Sequence, residues 1–210
     1  MRLTSERGRK IRLEYSEVKE KQVCEEKGLI QIGGSKTKID GAGDGKNASI
    51  KNFHGKSTQV HLTTQNHFCK ILELDENCIK FIKMFCGSES LNNKGTDRFT
   101  IQEIDANYVN SFMDFLNKNK LKVVDLIVRN GFDVNYVVCK NLKTNQLYEI
   151  SYEQIINKIK DCEWVAKKGG IHLKNKDKKT YFHFQREGKR NKNNRYNVLW
   201  HIHLNLFLSN

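Results

Sequence analysis

The chain has 210 residues and carries 37 Lys and Arg against 24 Asp and Glu, which gives a formal net charge of +13. This length suffices for one full domain, and a hydrophobic content of 38% with 10% aromatic residues excludes wholesale disorder. So large a positive charge favours a polyanionic partner, with nucleic acid as the first candidate and an anionic membrane surface as the second.

Neither a membrane span nor a signal peptide is predicted. No apolar stretch approaches the roughly 18 residues of a spanning helix, and the first residues, MRLTSERGRKIRLEYSE, have no apolar core. We therefore expect a cytoplasmic protein without a membrane partner. The six cysteines never form a C-x-x-C pair, so buried thiols are expected rather than disulfides or a zinc site: Cys24, Cys69, Cys78, Cys86, Cys139 and Cys162.

Four elements are predicted in the first quarter of the chain. They are a helix over residues 9–27 and strands over residues 29–32, 36–40 and 48–53. The helix is indicated by Ile11, Tyr15 and Val18, which recur at helical spacing, and by Gly28 as a stop signal. A glycine-rich loop with Asp44 joins the last two strands.

The middle of the chain is predicted to be mostly helical. Helical patterns run over residues 66–86 and from about residue 107, while residues 123–128 (VVDLIV) fit either a helix or a buried strand. The segments DVNYVVCK and QLYEI then predict a β-hairpin around NLKTN. Ser151 is expected to begin another helix, because Gln154 stands in the capping-box position.

The C-terminal part is predicted to be β-structure. TYFHFQ alternates between apolar and polar residues, and the alternation over residues 198–208 places Val198, Trp200 and Ile202 on one face. The expected fold class is α/β, with a mixed-sheet core flanked by helices and a β-rich, basic C-terminal half. We expect residues 1–90 to form the core and residues 91–210 the helical and β-rich half, packed as one continuous globular unit.

Most of the excess positive charge falls between Val165 and Tyr196, where eleven Lys and Arg stand against two acidic residues. Because the cations are interleaved with aromatic and strand residues, we expect them on a folded sheet that can neutralise several phosphates at once. Asn, Gln and Arg side chains are also able to read base edges. The candidate DNA-binding residues are Lys56, Lys174, Lys176, Gln185, Arg186, Lys189, Arg190, Lys192, Asn194 and Arg195. The alternative is a solvated lysine face.

Asp40 and Lys51 form the candidate catalytic pair. In KTKID, Lys38 and Asp40 share a face, and in ASIKN, Ser49 and Lys51 share a face. Two neighbouring strands would therefore bring Asp40 and Lys51 together on a polar surface. A carboxylate in such a place can hold Mg²⁺, and a nearby lysine can assist the attacking water and offset phosphate charge.

Asp40, about nine further residues, and then the strand segment that ends in Lys51 resemble the PD-(D/E)xK nuclease core of many type II restriction endonucleases. That core has a helix, a three-strand meander with the acidic residues, a helix and a further strand, and the predicted elements of residues 9–86 follow this order. The late segments YFHFQREGKR and NVLWHIHLNLF also resemble segments of bacterial restriction enzymes. The resemblance implies Mg²⁺ as the cofactor, Asp40 as a metal ligand and Lys51 as the catalytic amine.

Two positions depart from the family pattern. Ile39 stands where the family has proline, and Ser49 stands where it has a second carboxylate. Because a hydroxyl binds metal weakly, an acid from elsewhere must be the second ligand. Glu14 is the first candidate for this metal ligand, and Glu17 and Asp44 are the others.

Several other polar residues are candidates for either a functional or a structural role. Gln59 is a catalytic candidate that would orient water or touch a phosphate, and Ser49 is retained as a catalytic candidate by its position. GAGDGK lies between two strands and therefore does not predict a phosphate-binding loop, which must open a helix. Two loose groups of possible metal ligands are more simply assigned structural roles: His61, His67 and Cys69, and His201 with His203.

These features together predict sequence-specific cleavage of double-stranded DNA with Mg²⁺, as in type II restriction endonucleases. A homodimer is expected because symmetric proteins read twofold-symmetric sites most simply. A cognate methyltransferase is expected to protect the same DNA site without forming a stable complex with this protein. Two alternatives stay open: a nucleic-acid-binding regulator without catalysis, favoured by Ser49, and a repair nuclease or ribonuclease.

Overall fold

The computed structural model of the protein describes residues 18–32, 37–53, 55, 57–87, 99–186 and 197–207. Within these ranges lie six α-helices: α1 (Val18–Lys27), α2 (Gln65–Leu72), α3 (Glu76–Cys86), α4 (Ala106–Lys118), α5 (Lys120–Val128) and α6 (Tyr152–Ile159). The same ranges contain ten strands: β1 (Ile30–Gln31), β2 (Gly41–Gly43), β3 (Lys46–Phe53), β4 (Thr58–Thr64), β5 (Tyr136–Asn141), β6 (Leu147–Ser151), β7 (Glu163–Lys167), β8 (Gly170–Lys174), β9 (Thr180–Arg186) and β10 (Asn197–Ile202). The chain is of mixed α/β class, as the sequence predicted.

The strands form two five-stranded sheets. Sheet A has the order β1-β2-β3-β5-β6, and sheet B has the order β4-β10-β9-β8-β7. In sheet A the pair β3–β5 is parallel and the other pairs are antiparallel, whereas all pairs in sheet B are antiparallel. The chain leaves sheet A after β3 and begins sheet B with β4, and these two strands are in contact.

Both sheets combine strands from the two predicted halves of the chain. Sheet A takes β1 to β3 from before residue 90 and β5 and β6 from after it, while sheet B adds four later strands to β4. The prediction that residues 9–86 contain the helix, meander, helix and further strand of the core is therefore wrong in one respect. The strand that pairs in parallel with β3 is β5, which lies after residue 86, and β4 belongs to sheet B. A parallel pair needs a long crossover, and the sequence does not limit its length, so chain order alone did not identify this partner.

The hairpin of β2 and β3 is tighter than the sequence predicted. Its loop is only Asp44 and Gly45, both at positive φ (55° and 74°), as a two-residue type I′ turn requires. Residues 37–40 are not a strand, contrary to the prediction. Here the N–H of Ile39 donates to Oγ1 of Thr37 (3.0 Å), a local bond that competes with strand pairing.

The helical pattern predicted over residues 66–86 is two helices, α2 and α3. Glu73 ends α2 in a left-handed conformation (φ 55°), with its N–H bonded to carbonyls of the last turn. Asp75 caps α3 by accepting a hydrogen bond from the N–H of Cys78 at 2.8 Å. Residues 123–128, ambiguous from the sequence, belong to helix α5.

The predictions for the C-terminal part are confirmed in part. β5 and β6 form the expected hairpin, and Ser151 and Gln154 form the expected capping box of α6, with bonds of 3.1 and 2.8 Å. The last strand, β10, ends at Ile202, although alternation predicted a strand to residue 208. After Ile202 the chain forms a short 3₁₀-helix in which Leu204 is buried, so the burial of apolar residues continues beyond the end of the strand.

One large core joins both sheets with helices α2 to α6. Near its centre, the ring of Phe184 lies 5.3, 5.9 and 4.9 Å from the rings of Phe85, Phe112 and Trp200. A smaller core lies between α1 and sheet A and contains Val23, Cys24, Leu29, Ala48, Ile50 and Val138. Because Ala48 and Ile50 face α1, Ser49 and Lys51 on the same strand point to the opposite face.

The cysteines confirm a further expectation of the sequence, that they are buried thiols. All six cysteines are free thiols, five of them buried and Cys69 half-buried. None of the helices in the described ranges has the length and apolar character needed to cross a bilayer.

Replacing Gly170 by alanine should destabilise the protein. A Cβ at Gly170 would lie 2.3 Å from the carbonyl oxygen of Phe184 on the neighbouring strand β9. We expect the free energy of unfolding, measured by urea denaturation, to fall by about 2 kcal/mol or more. Gly169→Ala is the matched control, because a Cβ there meets no atom within 4 Å. Equal stability of the two variants would contradict the close approach of β8 and β9.

Candidate active site

Asp40 lies immediately before β2, where the chain is already paired with β3. Its N–H donates to the carbonyl of Ala48 (2.8 Å), and its carbonyl accepts from the N–H of Ile32 (3.0 Å). These two backbone bonds fix Asp40 on both sides. Its side chain can therefore reach the residues of β3 that follow Ala48.

One oxygen of the Asp40 carboxylate accepts from three donors on β3. Oδ2 accepts from the N–H of Ile50 at 2.6 Å, from the hydroxyl of Ser49 at 3.3 Å and from the ammonium of Lys51 at 3.3 Å. The structure thus brings Asp40, Ser49 and Lys51 together. Ser49 is buried and bonded to the carboxylate, so its hydroxyl orients Asp40.

The ammonium of Lys51 lies between two oxygens. Besides contacting Asp40, it donates to the carbonyl of Ile50 at 2.9 Å. The side chains of Lys51 and Asp40 are 21% and 15% exposed, so the ion pair is partly shielded from water and interacts more strongly than a surface pair. Both groups still reach solvent, as a site that receives a substrate requires.

A second lysine, Lys38, belongs to the same site. Its ammonium donates to the carbonyl of Val60 on β4, which ties the segment before β2 to sheet B. Burial, and after it repulsion from Lys51, lower the pKa of Lys38 to about 7, against the attraction of Asp40. Lys38 was expected on the same face as Asp40 but without a role, and its spacing of two residues from Asp40 is the sequence signal for its place in the site.

The described part of this site holds two amines, Lys38 and Lys51, and the carboxylate of Asp40. Among the described residues, no group of three or more His, Cys, Asp or Glu is arranged to hold a metal ion. Glu14 and Glu17 lie outside the described residues. Asp44 is exposed at the other end of the β2–β3 hairpin. The second carboxylate expected from the family resemblance is therefore not within the described part of the site.

The face of sheet B that points away from the core carries a row of polar side chains, here called the histidine row. It passes through residues in register on four neighbouring strands: His172 on β8, His183 on β9, His201 on β10 and Gln59 on β4. Ring centroids are 5.5 Å apart for His172 and His183 and 4.7 Å apart for His183 and His201. Within the described chain, Gln59 belongs to this row and not to the hydrogen bonds of Asp40.

His203 and Gln185 extend the histidine row. Nδ1 of His183 lies 2.9 Å from Nε2 of His203, and the amide nitrogen of Gln185 lies 3.0 Å from Nε2 of His201. Burial, with the charge of His183 as the next cause, lowers the pKa of His172 and of His201 to about 4. Burial also lowers the pKa of His183. The rings of His172 and His201 are therefore neutral at pH 7, and Gln185 is bonded to that of His201.

Three other candidate DNA-binding residues lie on or beside sheet B. Arg186 donates to the carbonyls of Phe85 (3.4 Å) and Phe99 (3.0 Å), so its guanidinium ties β9 to the end of α3. Lys174 is half-buried on β8, and Lys176 is exposed in the turn that follows. The remaining candidates lie outside the described residues: Lys56, Lys189, Arg190, Lys192, Asn194 and Arg195.

Comparison with known proteins assigns no family to the chain. It matches no protein-family model, and no curated protein is significantly similar to it. The geometry around Asp40 and the distribution of charge are therefore the features that point to a function.

Acidification should destabilise the protein between about pH 6.5 and about pH 4, in part through the histidine row. Folding lowers the pKa of His172 and His201 from 6.5 to about 4. In this range the unfolded chain binds protons at these residues and the folded chain does not, so the free energy of unfolding falls as the pH decreases. Urea denaturation at a series of pH values measures the effect, which should vanish above pH 6.5.

The double variant His172→Gln/His201→Gln should lose stability less steeply than the wild type over the same pH range. His67→Gln is the control for removing a histidine elsewhere, because His67 is exposed on α2. It should keep the wild-type slope. Equal slopes in all three proteins would contradict a neutral, half-buried row.

Proposed function

We propose that the protein is a Mg²⁺-dependent endonuclease that cleaves double-stranded DNA at specific sites, as type II restriction enzymes do. The observation that carries the proposal is the contact between Oδ2 of Asp40 and the ammonium of Lys51 (3.3 Å) beside a tight β-hairpin. A carboxylate and an amine held together within reach of solvent are the groups that metal-assisted phosphodiester hydrolysis uses.

The strands around this pair support a core of the PD-(D/E)xK type. Helix α1 precedes an antiparallel meander of β1, β2 and β3, and β5 later lies parallel to β3. Asp40 stands directly before the second strand of the meander, and Lys51 lies on the third. The order of helix, meander, helices and parallel strand agrees with the family resemblance, although four helices and β4 separate β3 from β5.

The oxygens present at this site can supply part of the coordination shell of Mg²⁺. The position between Asp40 Oδ2 and the carbonyl of Ile50 is taken by the ammonium of Lys51, at 3.3 and 2.9 Å, so a metal ion bound there would replace that ammonium. Mg²⁺ commonly binds through one or two carboxylates, with water and phosphate completing its shell, so Asp40 and the Ile50 carbonyl would hold it. When bound, Mg²⁺ would activate a water and offset phosphate charge. Glu14 remains the proposed second carboxylate.

The residues around Asp40 have distinct parts in the proposed reaction. The ammonium of Lys51 offsets the negative charge that builds up on the phosphate during in-line attack by water. Ser49 and the N–H of Ile50 hold the carboxylate in place before DNA binds, which limits reorganisation during the reaction. Lys38, whose pKa is lowered to about 7, adds a second amine that is partly protonated near neutral pH.

The proposal includes the partners expected from the sequence. Double-stranded DNA would contact the basic residues between 165 and 196. Two copies of the chain would read a twofold-symmetric site. A cognate methyltransferase would protect that site without stable binding.

A nucleic-acid-binding regulator without catalysis is the second candidate. It is favoured by the charge balance of the described site, in which Asp40 stands against Lys38 and Lys51 and a serine replaces the second acid. In such a protein, Asp40 and Lys51 would form a structural ion pair, and the basic segment would carry the function.

Incubation of plasmid and phage DNA with Mg²⁺ or with EDTA separates these candidates. We expect discrete fragments with Mg²⁺, none with EDTA, and none from DNA methylated at the site. Cleavage of RNA would indicate a ribonuclease, and cleavage of methylated DNA a repair nuclease. An intact plasmid under both conditions would contradict the proposed endonuclease.

Asp40→Asn and Lys51→Met should each lower the cleavage rate by about 100-fold or more while DNA binding persists. Asparagine keeps an oxygen that can accept from the N–H of Ile50, so the local fold is preserved while the charge is lost. Lys46→Met is the matched control, because Lys46 lies on the same strand but pairs with Glu149 at 2.7 Å. Wild-type cleavage by Asp40→Asn would remove Asp40 from the active site.

A further inference from the structure

We infer that a groove at the β7–β8 edge of sheet B, here called the lysine groove, is a binding track for the phosphates of double-stranded DNA. The inference rests on the proposed function and adds a contact surface separate from the Asp40 site. The groove is lined by Lys167, Lys174, Lys176 and Lys178, together with Asp161 and Glu163.

The lysine groove keeps an excess of positive charge. It holds four ammonium groups against two carboxylates. None of the ion pairs formed between described residues includes any of these lysines. Even Glu163, which stands opposite Lys174 in the β7–β8 register, forms no ion pair with it there. The ammonium groups are therefore available to phosphates, whose binding releases counterions from DNA.

Protection of the sheet edge does not account for this set of lysines. Lysine on an edge strand prevents pairing with other chains, and β7 is an edge strand of sheet B, so this explanation suffices for Lys167. Lys174, however, lies on β8, an interior strand, and Lys176 and Lys178 lie beyond its end. Edge protection therefore does not explain three of the four lysines.

The backbone at Lys178 supports a role for its side chain outside the turn. Its φ of 63° lies in the left-handed region, which glycine and asparagine occupy at lower cost. The bonds that hold the turn do not involve the Lys178 side chain: the N–H of Lys178 donates to the carbonyl of Asn175 at 2.9 Å, and the N–H of Lys179 donates to Oδ1 of Asn175 at 2.9 Å. Glycine would adopt this backbone conformation at lower cost, whereas lysine adds a positive charge that can neutralise a phosphate.

The position of the groove favours an extended ligand. Val60 of β4 contacts Lys38 beside Asp40, and β7 is the fourth strand from β4 in sheet B. Four strand spacings correspond to about 19 Å, or about six base pairs at a rise of about 3.4 Å. A DNA duplex can contact both edges of the sheet, and a free phosphate ion or a mononucleotide cannot.

The test replaces the four lysines together, as K167Q/K174Q/K176Q/K178Q. Binding of a fluorescently labelled duplex is measured by anisotropy in EDTA over a range of NaCl concentrations. Each lost phosphate contact lowers the slope of log K against log salt concentration by about 0.9, so we expect the slope to fall by about 2 to 4. At 0.1 M NaCl we expect binding to weaken by about tenfold or more.

The matched control is K21Q/K80Q/K118Q/K143Q, which removes the same charge from exposed lysines outside the groove. It should bind within about threefold of the wild type, because the removed charges do not contact the DNA. Equal losses in both variants, or no loss in the groove variant, would overturn the inference.

The single variant K178G gives a second measurement that does not depend on the fold of the fourfold variant. It relieves the left-handed backbone, so it should be at least as stable as the wild type. Its salt slope should still fall by about 0.9. An unchanged slope with unchanged affinity would count against the groove.

Cleavage by the wild type with Mg²⁺, measured in parallel, separates the two proposals. If the wild type cuts DNA and the groove variant binds normally, the groove alone is wrong. If the wild type neither binds nor cuts DNA, both proposals fail. Binding of the wild type to anionic lipid vesicles but not to DNA would also overturn the groove as a DNA track.

Discussion

A single oxygen atom, Oδ2 of Asp40, connects the segment that leads into β2 with three consecutive residues of β3. The shortest of its bonds, from the N–H of Ile50 at 2.6 Å, joins a side chain to the backbone of the neighbouring strand. Charge-assisted bonds of this kind are among the stronger hydrogen bonds in proteins. The carboxylate is held in place by them, and it in turn holds the ammonium of Lys51 against the carbonyl of Ile50.

The same site lies where the chain passes from one sheet to the other. β3 belongs to sheet A, and the next strand along the chain, β4, belongs to sheet B. Lys38, in the segment before β2, donates a hydrogen bond to the carbonyl of Val60 on β4. The large core that contains residues of both sheets supports this junction. Ser49 and Lys51 are mounted on a packed strand, where groups are held more precisely than on loops, which suits the proposed catalytic role of this site.

The polar and charged side chains in the second half of the chain fall into two groups. Some polar side chains of sheet B are bonded within the protein or uncharged: Arg186 bonds to the carbonyls of Phe85 and Phe99, and burial keeps His172 and His201 neutral. The lysines around the β7–β8 edge, in contrast, line an open groove. A count of cations along the sequence cannot separate these two groups, because the difference depends on which backbone carbonyls lie nearby.

The sequence by itself determined the features that depend on neighbouring residues. The capping box of Ser151 and Gln154, the hairpin of β5 and β6, and the burial of Val198, Trp200 and Ile202 all follow from spacing within a few residues. In each case the interaction that fixes the structure is local, so its signal is present in a short stretch of chain.

Only the tertiary structure decided which distant segments meet. The parallel pairing of Ala48 with Tyr136, the bond from Lys38 to Val60 and the bond from Arg186 to Phe99 join residues whose sequence separation has no fixed value. The Ser49 hydroxyl became a support for Asp40 because the packing of β3 buried it beside that carboxylate. Such contacts form when burial of the whole core repays the entropy of closing long loops, and no short stretch of sequence carries that balance.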